Sequence, residues 1–371
     1  MFDWRFIMTK PMSMLKRMLA SQSASNRPIA RIAWVATLFA AAVQAREMGA
    51  SLQEKANRIF KPLPTNMATK EFPVIPVQAE LGRKLFFDPR LSLDGTVSCA
   101  TCHRPALYGT DALMKSIGVE HRLNARNAPT VLNAALQFKA HWIGDRENVE
   151  EQAMKSLTGF TSFGNPDPAA VIAKLKAFGY ANEFAQAFSG DKETVTPENW
   201  GKAIGAYERT LITLSPFDTF LKGDSSALSL QAQQGLNTFI NIGCSSCHNG
   251  VGIGGAEFEK FGVFGDYWQE TGSQPIDEGR FNLTKLATDK YLFKVPSLRN
   301  VAMTPPYFHD GSIAELPKAV RIMAKLQLSK ALSDQEINNL VAFLNSLTGD
   351  LPGNFAAEPV LAPYAFKAAK P

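Results

Sequence analysis

The chain has 371 residues, 45% of them apolar and 20% charged, which excludes an intrinsically disordered chain and leaves room for two domains of ordinary size. The formal net charge is +5, and residues 1–45 carry it: six basic side chains (Arg5, Lys10, Lys16, Arg17, Arg27, Arg31) against Asp3. The rest holds 33 of the 39 basic and 33 of the 34 acidic residues, a balance that excludes a large basic surface for nucleic acid.

Residues 32–43 form an apolar run too short for a comfortable membrane span. Basic residues precede it, and Val43-Gln44-Ala45 follows as a small-x-small site. The pattern predicts a secretory signal peptide over 1–45, cut after Ala45, and an exported mature protein. An uncleaved N-terminal anchor is the alternative. The long basic leader also leaves Met12 or Met14 open as the start.

Ser51–Phe60 is expected to be a short helix stopped by Pro62 and Pro64. Two similar blocks then appear: Leu81-Gly82-Arg83-Lys84-Leu85-Phe86-Phe87 before Cys99, and Gln234-Gly235-Leu236-Asn237-Thr238-Phe239-Ile240 before Cys244. Each is a helical pattern feeding C-x-x-C-H, so the chain reads as two related units. Between them, Asn148–Leu157, Pro168–Phe188 and Pro197–Leu211 carry helical spacing, the last with Thr196 as cap. Leu214–Asp224 is expected to connect the units. Ser333–Glu336 is a capping box opening the helix Ile337–Leu347, and Gly349 ends it. Strand-like alternation is scarce. The expected fold is mainly α, with two cytochrome c-like haem domains at 46–213 and 214–350, long loops, and a tail at 351–371.

All four cysteines fall in Cys99-Ala100-Thr101-Cys102-His103 and Cys244-Ser245-Ser246-Cys247-His248. Two thiols at this spacing form thioethers with haem vinyl groups, and the adjoining His reaches the iron. A thioredoxin-like dithiol needs no His at the next position and sits in a βαβ pattern that is missing around both motifs. A zinc site uses Cys and His in quantity, and only His121, His141 and His309 remain. Two covalently bound haem c groups are therefore expected. An open sixth iron position admits peroxide, whereas a filled one favours electron transfer. Those three His and the Met residues are the candidates to fill it.

With these motifs in place, the sequence resembles the bacterial di-haem cytochrome c peroxidase family, including its MauG branch. The resemblance runs from about 52 to 350. It is carried by LGRKLFFDPRLS (81–92), RNAPTVLNAA (126–135), EEQA (150–153), FDTFLKGD (217–224), GCSSCHNG (243–250), FKVPSLRNVAMTPPYFHDGS (293–312), AVRIMAKLQLS (319–329) and VAFLNSLTG (341–349). It implies a peroxide-reactive N-terminal haem and a C-terminal haem of higher potential where electrons enter. It places the second iron's thioether ligand at Met323, where MauG has Tyr, and a tryptophan between the haems at Trp142. Gln152 matches a distal-side residue and His309 a group near the C-terminal haem. Asn127, Thr304 and Pro306 match a calcium site, in keeping with hard oxygen donors. Export by the expected signal peptide makes the periplasm the expected location, and the resemblance implies a homodimer.

Three positions depart from the family pattern. Val119 stands where a distal His can close the first haem, with His121 two residues on. Ser162 stands where the distal Glu moves the peroxide proton, with Phe163 and Ser156 replacing a Met and a Pro nearby. His141 precedes Trp142 and is a replacement base, a sixth ligand or a polar rim residue. The expected function is peroxide reduction fed by a small c-type cytochrome or copper protein. A MauG-like oxidation of Trp or Tyr in a partner protein is the second reading. A non-enzymatic electron carrier or redox sensor is the third.

Overall fold

The computed structural model describes residues 51–361. The expected signal peptide and the alternative starts lie outside the described residues, as does the tail beyond 361. The described chain is mainly helical, with one two-stranded ribbon in which Phe258–Lys260 pairs antiparallel with Leu292–Lys294.

Two helix crossings organise the fold, and each begins in one of the repeated blocks. The helix Pro76–Phe87 crosses Pro197–Glu208, burying Leu81, Leu85 and Phe86 against Trp200, Ala203 and Tyr207. The helix Leu230–Ile242 crosses Asp334–Asn345, burying Leu236 and Phe239 against Leu340, Phe343 and Leu344. The glycine shared by the two blocks sits at each crossing. A Cβ on Gly82 would meet Ala203 and lie 2.9 Å from Ile204 N, and one on Gly235 would lie 2.5 Å from Asn339 C. Only a hydrogen lets the backbones approach this closely.

Helix boundaries follow local chemistry. The Thr196 hydroxyl accepts from Asn199 N–H at 3.1 Å as expected. Ser333 and Glu336 form the predicted capping box, although the helix starts at Asp334 and ends at Asn345, before Gly349. The segment expected as one helix over Pro168–Phe188 is two, Pro168–Ala177 and Ala181–Ala187, broken at Gly179 with φ +87°. Leu230–Ile242 stops at Gly243, whose φ of +105° suits glycine.

The segment Leu214–Asp224 is no free connection. Pro216–Leu221 is a helix with Phe217, Phe220 and Leu221 in the second core. Its Asp218 carboxylate accepts from Ser215 N at 2.9 Å and Leu63 N at 2.8 Å, and pairs with Arg299 at 2.7 Å. Arg299 also donates to the carbonyls of Val251 and Lys61. The opening helix, 51–59, adds Ala56 and the following Phe60 to this second core, while Phe355 packs into the first. Each core is therefore completed by a segment remote in sequence. In the first, Glu150 and Arg209 form a buried two-point ion pair at 2.6 and 3.0 Å.

Candidate functional site

At the first motif, Ser98 and Thr101 cap a single turn, Cys99–Cys102. The two thiols are three residues apart and share a face. The chain leaves the turn at His103, whose N–H still bonds Cys99 O at 2.9 Å. The His103 Nδ1 lies 3.0 Å from Gly109 O. A carbonyl only accepts, so Nδ1 carries the hydrogen and Nε2 keeps its lone pair, as an iron ligand requires. Burial holds this imidazole below its ordinary pKa against the pull of the Gly109 carbonyl.

The second motif repeats the arrangement. Cys244–Ser246 makes a 3-10 turn, His248 N–H bonds Cys244 O at 3.0 Å, and Nδ1 faces Ile253 O at 3.4 Å. Burial pushes His248 down to about 4, so the ring is neutral at physiological pH. Gly254, with φ +116°, has its Cβ position 3.0 Å from His248 Nδ1, so a side chain there would crowd the ring. Burial raises the thiols, Cys102 to about 11 and Cys244 to about 12. A redox dithiol has a depressed thiol pKa, so both pairs lack that signature. The donor sets fit haem c: paired unactivated thiols beside an imidazole with a free Nε2.

A cavity of about 590 Å³ opens beside the second motif. Cys244, Cys247, His248 and Met323 line it, with Trp142 and His309. The volume falls in the range of roughly 300–1,000 Å³ usual for cofactor sites. The structure thus brings Met323, on the helix Leu316–Leu328, to the cavity of His248 although 75 residues separate them in sequence. The Trp142 indole N–H donates to Asn127 O at 2.9 Å, and its ring is 6.4 Å from that of His309. Two residues beyond Asn127, the Pro129 carbonyl acts on the His103 ring. One short segment therefore touches both Trp142 and the first motif's histidine.

His141 sits at φ +64° in a turn closed by the Ala140–Arg146 bridge, and lines the same cavity. Its Nδ1 is 2.9 Å from Asp145 Oδ1. Burial works to raise the Asp145 carboxyl, but the hydrogen bond and charge of His141, with Arg146, hold it at about 2. Asp145 was missed in the sequence reading, and the signal was a carboxylate four residues after the histidine. Glu208 was missed as well. It is buried near Cys99, and desolvation with the repulsion of Glu150 pushes it up to about 8.

The remaining residues divide clearly. Gln152 is half-buried in the helix Val149–Ser156. The Ser162 hydroxyl donates to Ser156 O at 2.9 Å and Gly159 O at 3.1 Å, so it closes a turn. Phe163 is buried edge-on against Trp200, and Ser156 Oγ bonds Ala153 O. Val119 is fully buried and His121 is exposed. His309 is 2% exposed, stacked on Phe293, and its Nε2 lacks a hydrogen-bond partner among the described residues. Asn127, Thr304 and Pro306 line the cavity, and Asn127 Nδ2 donates to Leu113 O at 2.7 Å, which leaves its Oδ1 as an acceptor.

Comparison with known proteins settles the family. The di-haem cytochrome c peroxidase model matches residues 76–226, and the cytochrome c model matches 232–348. The cytochrome c551 peroxidase of Pseudomonas aeruginosa is 40% identical over 306 residues, 81% of this chain and 88% of the relative. The chain belongs to the di-haem cytochrome c peroxidase family. The methylamine utilization protein MauG of Methylorubrum extorquens is 33% identical over 294 residues, 76% of this chain and 81% of its own. Among solved structures, a MauG-like protein associated with microbial copper homeostasis aligns with TM-score 0.72 at 28% identity. That alignment covers 81% of this chain and 97% of the other. The protein is an oxidoreductase of di-haem peroxidase type with two cytochrome c-like domains, and its family implies two haem c groups.

Proposed function

We propose that this protein is exported to the periplasm and reduces hydrogen peroxide at the iron held by His103, with electrons entering through the haem held by His248 and Met323. Each peroxide takes two electrons and two protons and leaves as two waters. When bound, the haems supply the electron storage and the iron at which the O–O bond breaks. The observation that carries the reading is the cavity linking His248, Met323 and Trp142, with the Asn127–Thr130 segment continuing from the indole to His103. A thioether at Met323 favours ferrous iron and suits an entry site.

The chain's own acid–base group is His141. Asp145 accepts its Nδ1–H and leaves Nε2 to take a proton from the inner peroxide oxygen and return it to the outer one. This is the orienter–base arrangement of general acid–base catalysis. It relocates the work of the distal Glu, since the Ser162 hydroxyl is spent on backbone carbonyls. Asn127, Thr304 and Pro306 supply oxygen donors to a calcium ion in this proposal. The donor is a small c-type cytochrome or copper protein.

Stopped-flow mixing of the di-haem protein with hydrogen peroxide tests it. His141→Ala should slow the peroxide reaction by about 10²–10⁴ with both haems retained. An unchanged rate removes His141 from the chemistry. A second reading, oxidation of Trp or Tyr in a partner protein, is favoured by buried Val119, which puts no imidazole where the family's distal His stands.

A further inference from the structure

Lys294 is a buried cation with no counter-charge among the described residues. It ends the strand Leu292–Lys294 opposite Phe258, and its backbone N–H donates to Trp142 O at 2.7 Å. The residue is 5% exposed and lines the cavity shared by His248, Trp142 and Met323. Its ammonium donates to the Gln137 amide oxygen, a neutral group. Among the described residues no carboxylate is paired with it, and burial alone pushes it down to about 8. Arg299, which lines the same cavity, is neutralised by Asp218. Glu257 and Glu259 line the cavity too, but they cluster beside Cys247. A buried ammonium facing a cavity with only an amide for company is costly unless an anion arrives with the occupant.

A haem brings carboxylates on its propionate arms. We propose that Lys294 binds a propionate of the haem attached at Cys244, Cys247 and His248, and that its charge raises that haem's reduction potential. The inference rests on the assignment of that motif as a haem site. Reduction adds an electron to the iron, so a fixed neighbouring cation favours the reduced form. The backbone bond to Trp142 also ties this anchor to the indole proposed to carry the electron onward. Lys294 acts here as a positioning and electrostatic residue and does not touch peroxide.

The test uses the holoprotein with haem content counted first. A wild-type stoichiometry of one haem per chain, with the haem-bearing peptide mapped to Cys99–His103, would refute the assignment of the second motif and leave no propionate for Lys294. With two haems present, spectroelectrochemical titration resolves both potentials, and resonance Raman reads the propionate bending bands. Lys294→Gln should keep both haems and move the second haem at least tenfold toward the ferric form at fixed potential, about 59 mV for one electron. Its propionate band should shift. Lys294→Arg should restore most of the potential, and Lys294→Met gives a second neutral variant if Gln folds poorly. Unchanged potential and propionate bands in the neutral variants, or changes confined to the haem at His103, would overturn the proposal.

Discussion

Replacing Gly235 by Ala should destabilise the second core and loosen the site around Cys244 and His248 together. The new Cβ would sit 2.5 Å from the Asn339 carbonyl carbon and 2.9 Å from Phe343 Cβ. Carbon atoms in contact prefer roughly 3.5–4.0 Å, so the crossing must open by about 1 Å. The obstacle is backbone, and no rotamer change relieves it. Opening the crossing separates Leu236 and Phe239 from Leu340, Phe343 and Leu344, each at most 5% exposed. A gap of about 0.5–1 Å forfeits roughly a quarter to a half of each contact's attraction. Overpacking of this kind costs about 1–3 kcal/mol, occasionally more, and the backbone clash points to the upper end. The melting temperature should fall by roughly 10 °C. The helix Leu230–Ile242 leads through Gly243 straight into Cys244, so the near-infrared band that the proposed Met323 ligation predicts for the ferric haem should weaken in parallel. Thermal unfolding of the holoprotein followed in the Soret region measures the loss. Gly190→Ala is the control, because no atom of the described residues lies within 4 Å of its Cβ position. A Gly235→Ala protein as stable as that control would refute the steric argument. Gly82→Ala should behave alike in the first core.

Arg299→Met leaves Asp218 buried without its partner and should cost about 3–5 kcal/mol in urea unfolding. Adding Asp218→Asn should recover part of that loss, and a double mutant no better than the single one would argue against an unpaired-charge penalty. Glu208→Gln should alter the pH dependence of stability. The folded carboxyl holds its proton to about 8, while the unfolded one releases it near 4.5. Wild-type stability contributed by this group is therefore full at pH 4 and declines as pH rises to 8. The Gln variant should lack that decline, and an equal loss of unfolding free energy between pH 5 and pH 8 in the two proteins, by urea titration, would count against it. Asp145→Asn reports in the opposite direction. Its stabilising ionised form is present above about 3.8 and is lost as pH falls toward 2, worth about 1 kcal/mol at neutral pH once solvent screening of this half-buried group is allowed for. The Asn variant should lose that increment and slow peroxide reduction together. Normal peroxide kinetics in this variant would free His141 from any dependence on Asp145.

Much of the site was legible because its chemistry is local. Cys99, Cys102 and His103 need only one turn of chain to stand together, and Cys244, Cys247 and His248 repeat that turn. Thr196 and Ser333 cap their helices within three residues, so short patterns revealed them. The repeat around Gly82 and Gly235 was visible as a pattern too. Its meaning was not, because a close crossing depends on Ala203 and Asn339, each more than 100 residues away. Tertiary structure alone decided that Ser162 spends its hydroxyl on a turn, that His141 leans on Asp145, and that Phe60 and Phe355 complete cores remote from them in sequence. It also decided that Arg299 finds a carboxylate while Lys294 finds only an amide. Residue type and spacing determine the C-x-x-C-H turns and the helix caps. Burial and counter-charge depend on which distant segments fold against a side chain, and desolvation acts only once they have done so.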